Sequence, residues 1–351
     1  MKRLIAAVML LLGLSGCASQ PAAYTNDFFA MDTFMSVTLY GSTPDGRPAD
    51  DGTLSDMAES ISRTVNRLDA ALSRTQTAGD LYRLNHADGA VTEVSAETYE
   101  AVRQAVAYAE QTGGAFDPTM APVTDLWQIG TDQARVPAQA ELDEALTHVG
   151  YQNVKLLGEN RIQLLNGAQI DLGGIGKGFA GDAVCALLQG ENGAASWQAL
   201  AALGGNIVLY GGNPARKDGS WVIGVADPDQ TADSLVTLAR ADGSVVTSGD
   251  YERFFEQDGK RYHHIFDPAT GYPADTGLRS VTVIDESSTR ADAMTTALFV
   301  MGLEKGMAFC REQGIAAVFI TADKQVVCSP AVSDMAVFSF EGEDKGYTYA
   351  Q

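Results

Sequence analysis

Apolar residues recur at steps of three and four through Leu54, Met57, Ile61, Val65, Leu68 and Leu72, which predicts an amphipathic helix with Thr53 as its N-cap. A second helix is expected from Ser95 as N-cap through Tyr99, Val102, Val106 and Ala109, stopped by Gly113 and Gly114. A third, shorter one follows Pro137, with Leu142, Leu146 and Val149 facing inward and Gly150 ending it. Ordinary core packing accounts for all three stripes. Met31 to Tyr40 alternates apolar and polar positions and reads as a strand, and 42–53 reads as a loop rich in Gly, Pro and Asp.

Beyond Val154 the pattern shortens. Strand-like runs appear at Val154–Leu157, Arg161–Leu165, Ile207–Tyr210, Trp221–Val225, Leu235–Ala239, Tyr262–Phe266, Leu278–Ile284 and Val318–Thr321. Helical patterns interrupt them at about 177–189, 290–301 and 304–313. Helices and antiparallel strands are partly segregated, so the expected class is α+β rather than a doubly wound parallel sheet. No repeat and no internal linker divides the chain, so one two-lobed folding unit is expected.

The N-terminus reads as a tag. Lys2 and Arg3 precede an apolar run, Leu4 to Leu14, that is too short to span a bilayer and fits a signal-peptide core. Leu14-Ser-Gly-Cys17 then resembles a bacterial lipobox, which makes 1–16 a signal peptide and 17–26 a tether. Cleavage and lipidation at Cys17 would place the protein on the cell membrane, facing the periplasm or the cell exterior. The remaining thiols, Cys185, Cys310 and Cys328, are odd in number and lack metal-ligand spacing, so they read as small buried hydrophobes.

Charge changes the picture of partners. The 351 residues carry 45 acidic and 24 basic side chains, a formal net charge of −21. Such a surface repels phosphate backbones, so nucleic acid is an unexpected partner. A small anionic ligand would need local cations or backbone N–H groups.

Four segments hold that chemistry. Asp171-Leu-Gly-Gly-Ile-Gly-Lys-Gly-Phe-Ala-Gly-Asp182 follows an apolar strand and opens a helix. Its glycines permit close backbone approach, the helix start offers N–H groups to an anion, and Lys177 adds a charge. It is neither a dinucleotide fingerprint, lacking the βαβ context, nor a P-loop, since Gly178 stands where Ser or Thr is needed. A phosphate cradle and a tight strand-to-helix turn are both open readings. In Tyr262-His-His264-Ile-Phe-Asp-Pro268, alternation sends His263 and His264 to opposite faces, so only one can serve a site. Asp292 and Thr296 share one helix face and suit Mg²⁺ with phosphate, or simple helix capping. Phe116, in Gly113-Gly-Ala-Phe-Asp117, either stacks on a flat ring or plugs the core.

In order along the chain, these segments resemble the ApbE family of exported FAD:protein FMN transferases. The likeness runs through Met31-Asp-Thr-Phe, Leu72-Ser-Arg, Gly114-Ala-Phe-Asp-Pro, Asp171-Leu-Gly-Gly-Ile-Gly-Lys-Gly, Leu203-Gly-Gly-Asn206, Thr247-Ser-Gly249, His264-Ile-Phe-Asp-Pro and Ala291-Asp-Ala-Met-Thr-Thr296. The resemblance implies a flavin transferase domain over 27–341, a tail at 342–351, and FAD in a cleft between two lobes. It implies Mg²⁺-dependent transfer of FMN from FAD to a Thr or Ser hydroxyl, with release of AMP. Met31, Thr75, Ala115, Phe116, Asp117, Asp171, Lys177 and Phe266 would line the FAD site. Asp292, Thr296 and the carbonyl of Gly174 would bind Mg²⁺, and His264 would assist deprotonation of the acceptor. Thr75 stands where many members carry an aromatic residue. The acceptors implied are exported or membrane electron-transfer proteins. Hydrolysis of FAD to FMN and AMP, or flavin binding without turnover, are the rival readings.

Overall fold

The structure is a computed structural model that describes residues 23–43, 45–190 and 196–350. The proposed signal peptide and Cys17 lie outside the described residues. Eight α-helices occur among the latter: α1 (Asp51–Leu72), α2 (Asp80–Asn85), α3 (Ala96–Gln111), α4 (Ala121–Trp127), α5 (Gln139–Leu146), α6 (Gly176–Gly190), α7 (Ser288–Gln313) and α8 (Val332–Met335).

A nine-stranded sheet organises the molecule. Its spatial order is Tyr24–Ala30, Thr33–Ser42, Ser196–Leu203, Asn206–Tyr210, Gly243–Gly249, Leu278–Asp285, Ala316–Thr321, Gln325–Cys328 and Thr348–Ala350. Neighbours pair antiparallel except the last two, which are parallel. Antiparallel strands with the long helices α1, α3, α6 and α7 gathered on one face make the fold α+β, as the pattern predicts.

Alternation along the strands decides what covers each face. Val37, Leu39, Ala199, Ala201 and Val208 point to one side and pack against the apolar stripes of α1, α3 and α6. Tyr40 and Leu209 point to the other, where a three-stranded sheet (Trp221–Asp227, Gln230–Arg240, Val337–Phe340) covers them. α7 lies beside α6 and buries Met294, Leu298 and Phe299 against Val246, Val281 and Val283. A smaller cluster gathers Trp127 of α4, Leu142 of α5 and Phe266.

Several boundaries differ from the expectation. The tether ends earlier, because Tyr24–Ala30 forms an edge strand whose Tyr24 and Phe28 pack on the core. The N-cap of α1 is Asp50, not Thr53: its Oδ1 accepts from the Thr53 N–H at 2.8 Å. The tail is ordered, since Tyr347 is buried and Thr348–Ala350 extends the sheet. The two helices expected at 290–301 and 304–313 form one element with a break at Gly302, where φ is 74° and a side chain would crowd Thr276. Cys185, Cys310 and Cys328 are free thiols, and burial pushes each up to about 12.

Candidate active site

The chemistry-bearing helices α6 and α7 start side by side, and glycine makes that possible. A Cβ on Gly178 would overlap the Ser288 carbonyl and lie 2.7 Å from the Asp292 Cβ. A Cβ on Gly181 would lie 2.6 Å from the Ser288 hydroxyl and 2.7 Å from Val208. With both absent, each helix caps the other. Asp292 of α7 accepts from the Gly178 N–H of α6 at 2.8 Å. Asp182 of α6 accepts from the Ser288 and Thr289 N–H groups at 2.7 and 3.1 Å, and from the Ser287 hydroxyl at 2.8 Å. Each carboxylate thus meets the positive end of the neighbouring helix.

Thr296, one turn beyond Asp292, closes the other side. A Cβ on Gly174 would lie 3.3 Å from Thr296 Oγ1 and 3.1 Å from the Phe116 ring. Gly174, Phe116 and Thr296 therefore meet. Their neighbour Asp292 is only 2% exposed. Thr295 turns away instead, donating to the Asp292 carbonyl at 2.7 Å and bonding Ser248 at 2.8 Å.

Lys177 runs beside the Gly204-Gly205 turn, its Cδ 3.6 Å from where a Gly204 Cβ would be, with Thr33 on the same spot. His264 lies within the field of Lys177 and Arg253. Its backbone N–H donates to the Arg253 carbonyl at 3.2 Å, and Nδ1 lies 3.2 Å from the same oxygen. A carbonyl only accepts, so Nδ1 carries the proton and Nε2 keeps its lone pair. The ring is half-buried, and the protein packed around it pushes it down to about 4, with the neighbouring cations adding to the effect. His263 is buried edge-on to Phe299 at 5.3 Å; the strand expected over Tyr262–Phe266 spans only Lys260–His263, so His264 stands in the bend just beyond it and its direction is set by that bend rather than by strand alternation.

The remaining predicted residues hold varied positions. Asp171 accepts from the Gly173 N–H at 2.8 Å and pairs with Arg74 at 3.2 Å; Arg74 also binds Asp125 at 2.5 Å. Asp117 is buried, and Thr119 and the Tyr151 N–H already occupy its two oxygens, so its carboxylate shapes the loop; burial pushes it up. Phe116 and Phe266 are 3% and 7% exposed, so only an edge of either ring is free to meet a ligand. Met31 forms the turn of the first hairpin with φ of 49°, and Ala115 is half-buried beside Phe116. Thr75 is exposed and bonded to Ser73 at 3.1 Å.

Two residues escaped the sequence reading. Glu252 lies in the field of Lys177, Asp292 and Arg253, and its surroundings push its carboxyl up even though it still reaches solvent. It follows Thr247-Ser-Gly249 by three positions, which was the available signal. Asp182 reads in sequence as the end of a Gly-rich segment, and its capping role depends on a helix a hundred residues away.

A metal fits the donor set. Among the described residues no group of three or more His, Cys, Asp or Glu converges. Asp292 and Thr296, one turn apart on α7, instead offer hard oxygens of the kind that would hold a divalent cation, with Gly174 lying against Thr296.

Known proteins share this architecture. The model of the ApbE family matches residues 31–319. An FAD:protein FMN transferase of Treponema pallidum is 37% identical over 346 residues, covering 93% of either chain. One from Klebsiella pneumoniae is 35% identical, covering 78% of this chain and 84% of its own. The crystal structure of the ApbE protein of Thermotoga maritima superposes with a TM-score of 0.77 at 33% identity, over 92% of this chain and 98% of that one. The flavin transferase ApbE of Vibrio cholerae gives a TM-score of 0.75 at 30% identity, over 90% and 100%. With its full run of motifs folded into the same sheet and helix pair, the chain belongs to the ApbE family.

Proposed function

We propose that this protein transfers FMN from FAD to a Ser or Thr hydroxyl of an acceptor protein, with Mg²⁺ as cofactor and AMP as the second product. The observation that carries the reading is the α6–α7 junction, where Asp292 and Thr296 stand beside the Gly178 N–H and Lys177.

The acceptor oxygen attacks the phosphorus that bears the riboflavin side. The bond from that phosphorus to the bridging oxygen breaks, and AMP leaves with the electron pair. The hydroxyl is poorly acidic, so His264 Nε2 takes its proton; the neutral ring makes it available at physiological pH. Negative charge grows on the leaving phosphate, and Lys177, together with the positive end of the α6 dipole, meets it. Bound between Asp292, Thr296 and Gly174, Mg²⁺ would supply further positive charge to the phosphate oxygens. An acidic protein can then hold an anionic dinucleotide, because the site brings its own cations.

Anchoring through lipidated Cys17 at the outer face of the cell membrane belongs to the same reading, supported by Leu14-Ser-Gly-Cys17 behind an apolar run. The acceptors would be exported or membrane electron-transfer proteins. No helix among the described residues is long and apolar enough to cross a membrane. Incubation of the Cys17-truncated protein with FAD, Mg²⁺ and a flavin-free acceptor tests the reading by intact mass. An acceptor heavier by FMN less one water supports it. Free FMN and AMP with no adduct would instead establish hydrolysis.

A further inference from the structure

Three phenylalanines are exposed among the described residues: Phe29, Phe34 and Phe254. One arginine links the segments that carry them. Arg253 immediately precedes Phe254, and its guanidinium lies 3.5 Å from the carbonyl of Asp32, in the turn between Phe29 and Phe34. The Arg253 carbonyl in turn holds His264. Arg253 therefore joins the hairpin turn to the group expected to activate the acceptor.

The pair is built rather than incidental. Phe29 and Phe34 face each other across the first hairpin, with ring centroids 5.4 Å apart at 78°. Alternation turns Tyr24 and Phe28 into the core and leaves Phe29 on the outer face, 56% exposed, with Phe34 83% exposed. Phe254 carries the Arg261 guanidinium 4.1 Å from its ring centre. Interlocked aromatic rings lose little freedom on binding, and fixed aromatic groups dominate recognition energy at protein interfaces. The hairpin also contributes the edge strand of the nine-stranded sheet, which offers unpaired backbone groups to an extended segment.

We infer that the Phe29–Phe34 pair, with Phe254, is the docking surface for the protein acceptor, receiving an apolar extended segment beside its reactive hydroxyl. This rests on the transfer reading above. The occupant follows from position: through Arg253 the hairpin is tied to His264, where the hydroxyl must arrive. Transfer to a protein also needs a surface that engages more than one side chain.

The test compares wild type, Phe29→Thr/Phe34→Thr and the control Val337→Thr, an exposed apolar position on the three-stranded sheet. Threonine keeps strand propensity, and melting curves confirm folding. The probe is a flavin-free electron-transfer subunit from a strain lacking flavin transferases. The aromatic variant should raise the acceptor KM by roughly tenfold or more, about 1.4 kcal/mol per decade. FAD affinity, followed by flavin fluorescence, should be unchanged in both variants. An unchanged acceptor KM would overturn the inference, and so would FAD affinity falling in step, which would put the rings in the nucleotide site. Loss of a concentration-dependent dimer in light scattering would overturn it in favour of a second copy. Direct binding of the acceptor to FAD-free enzyme separates the two claims. If wild type forms no adduct, the transfer reading fails; weaker binding by the aromatic variant alone still supports docking, and equal binding refutes it.

Discussion

Replacing Gly178 by alanine adds one methyl group where α6 and α7 touch. That Cβ would overlap the Ser288 carbonyl, which is backbone and cannot rotate away, and would lie 2.7 Å from Asp292 Cβ. The helices must separate, and the 2.8 Å bond from the Gly178 N–H to Asp292 must lengthen. Overpacking of this kind costs about 1–3 kcal/mol. Weakening a hydrogen bond to a buried carboxylate adds roughly 1.5 kcal/mol. At about 2 cal/mol/K of unfolding entropy per residue, the sum lowers Tm by roughly 3–7 °C. The displaced carboxylate should also lower Mg²⁺-dependent FAD turnover by on the order of a hundredfold, about 2.7 kcal/mol of transition-state stabilisation. Gly176→Ala is the control for stability, since a Cβ there meets nothing within 4 Å and alanine favours helix. Differential scanning calorimetry and turnover on the same preparations decide the matter. A Gly178→Ala protein as stable and as active as wild type would refute the close helix contact and its role.

Other outcomes follow from the same geometry. Asp292→Asn keeps an acceptor for the Gly178 N–H but loses the charge, so it should retain most of its Tm while Mg²⁺-dependent turnover falls at least a hundredfold. Asp182→Ala strips the start of α7 of four hydrogen bonds, from the Ser288 and Thr289 N–H groups and the Ser287 and Thr289 hydroxyls, and should cost about 2–4 kcal/mol in chemical denaturation, whereas removal of an exposed carboxylate would cost almost nothing. His264 is lowered from 6.5 to about 4 in the folded protein, so between those values the unfolded chain binds a proton that the folded one does not. Stability from this group is complete above about pH 6.5 and is lost as pH falls toward 4; Tm measured against pH should slope less in that window for His264→Gln than for wild type. With their thiols held near 12, Cys185, Cys310 and Cys328 should resist alkylation at pH 8 until the protein is denatured.

The local layers of this structure were legible and the long-range ones were not. The stripe from Leu54 to Leu72 announces α1 because one helix face meets one core. Its cap is not legible, because Asp50 and Thr53 are both good capping residues and only the backbone path chooses Asp50. The strand at Tyr24–Ala30 hides behind a polar segment because an edge strand buries only alternate side chains. The glycines of Asp171–Asp182 mark a close approach, but they do not say that the approaching surface is α7. Asp117 and Phe266 stand in recognisable motifs, yet the structure gives their side chains mainly to loop geometry and to the Trp127 cluster. Glu252 was missed because a lone carboxylate becomes informative only when Lys177 and Asp292 are brought to it.

The central claim is that this site moves FMN rather than merely binding or hydrolysing FAD. Intact-mass analysis of a flavin-free acceptor, incubated with the Cys17-truncated protein, FAD and Mg²⁺, tests it most directly. The account predicts an acceptor heavier by one FMN less one water, AMP released in equal amount, and no adduct with Asp292→Asn. Stoichiometric FMN and AMP in solution over an unmodified acceptor would contradict it.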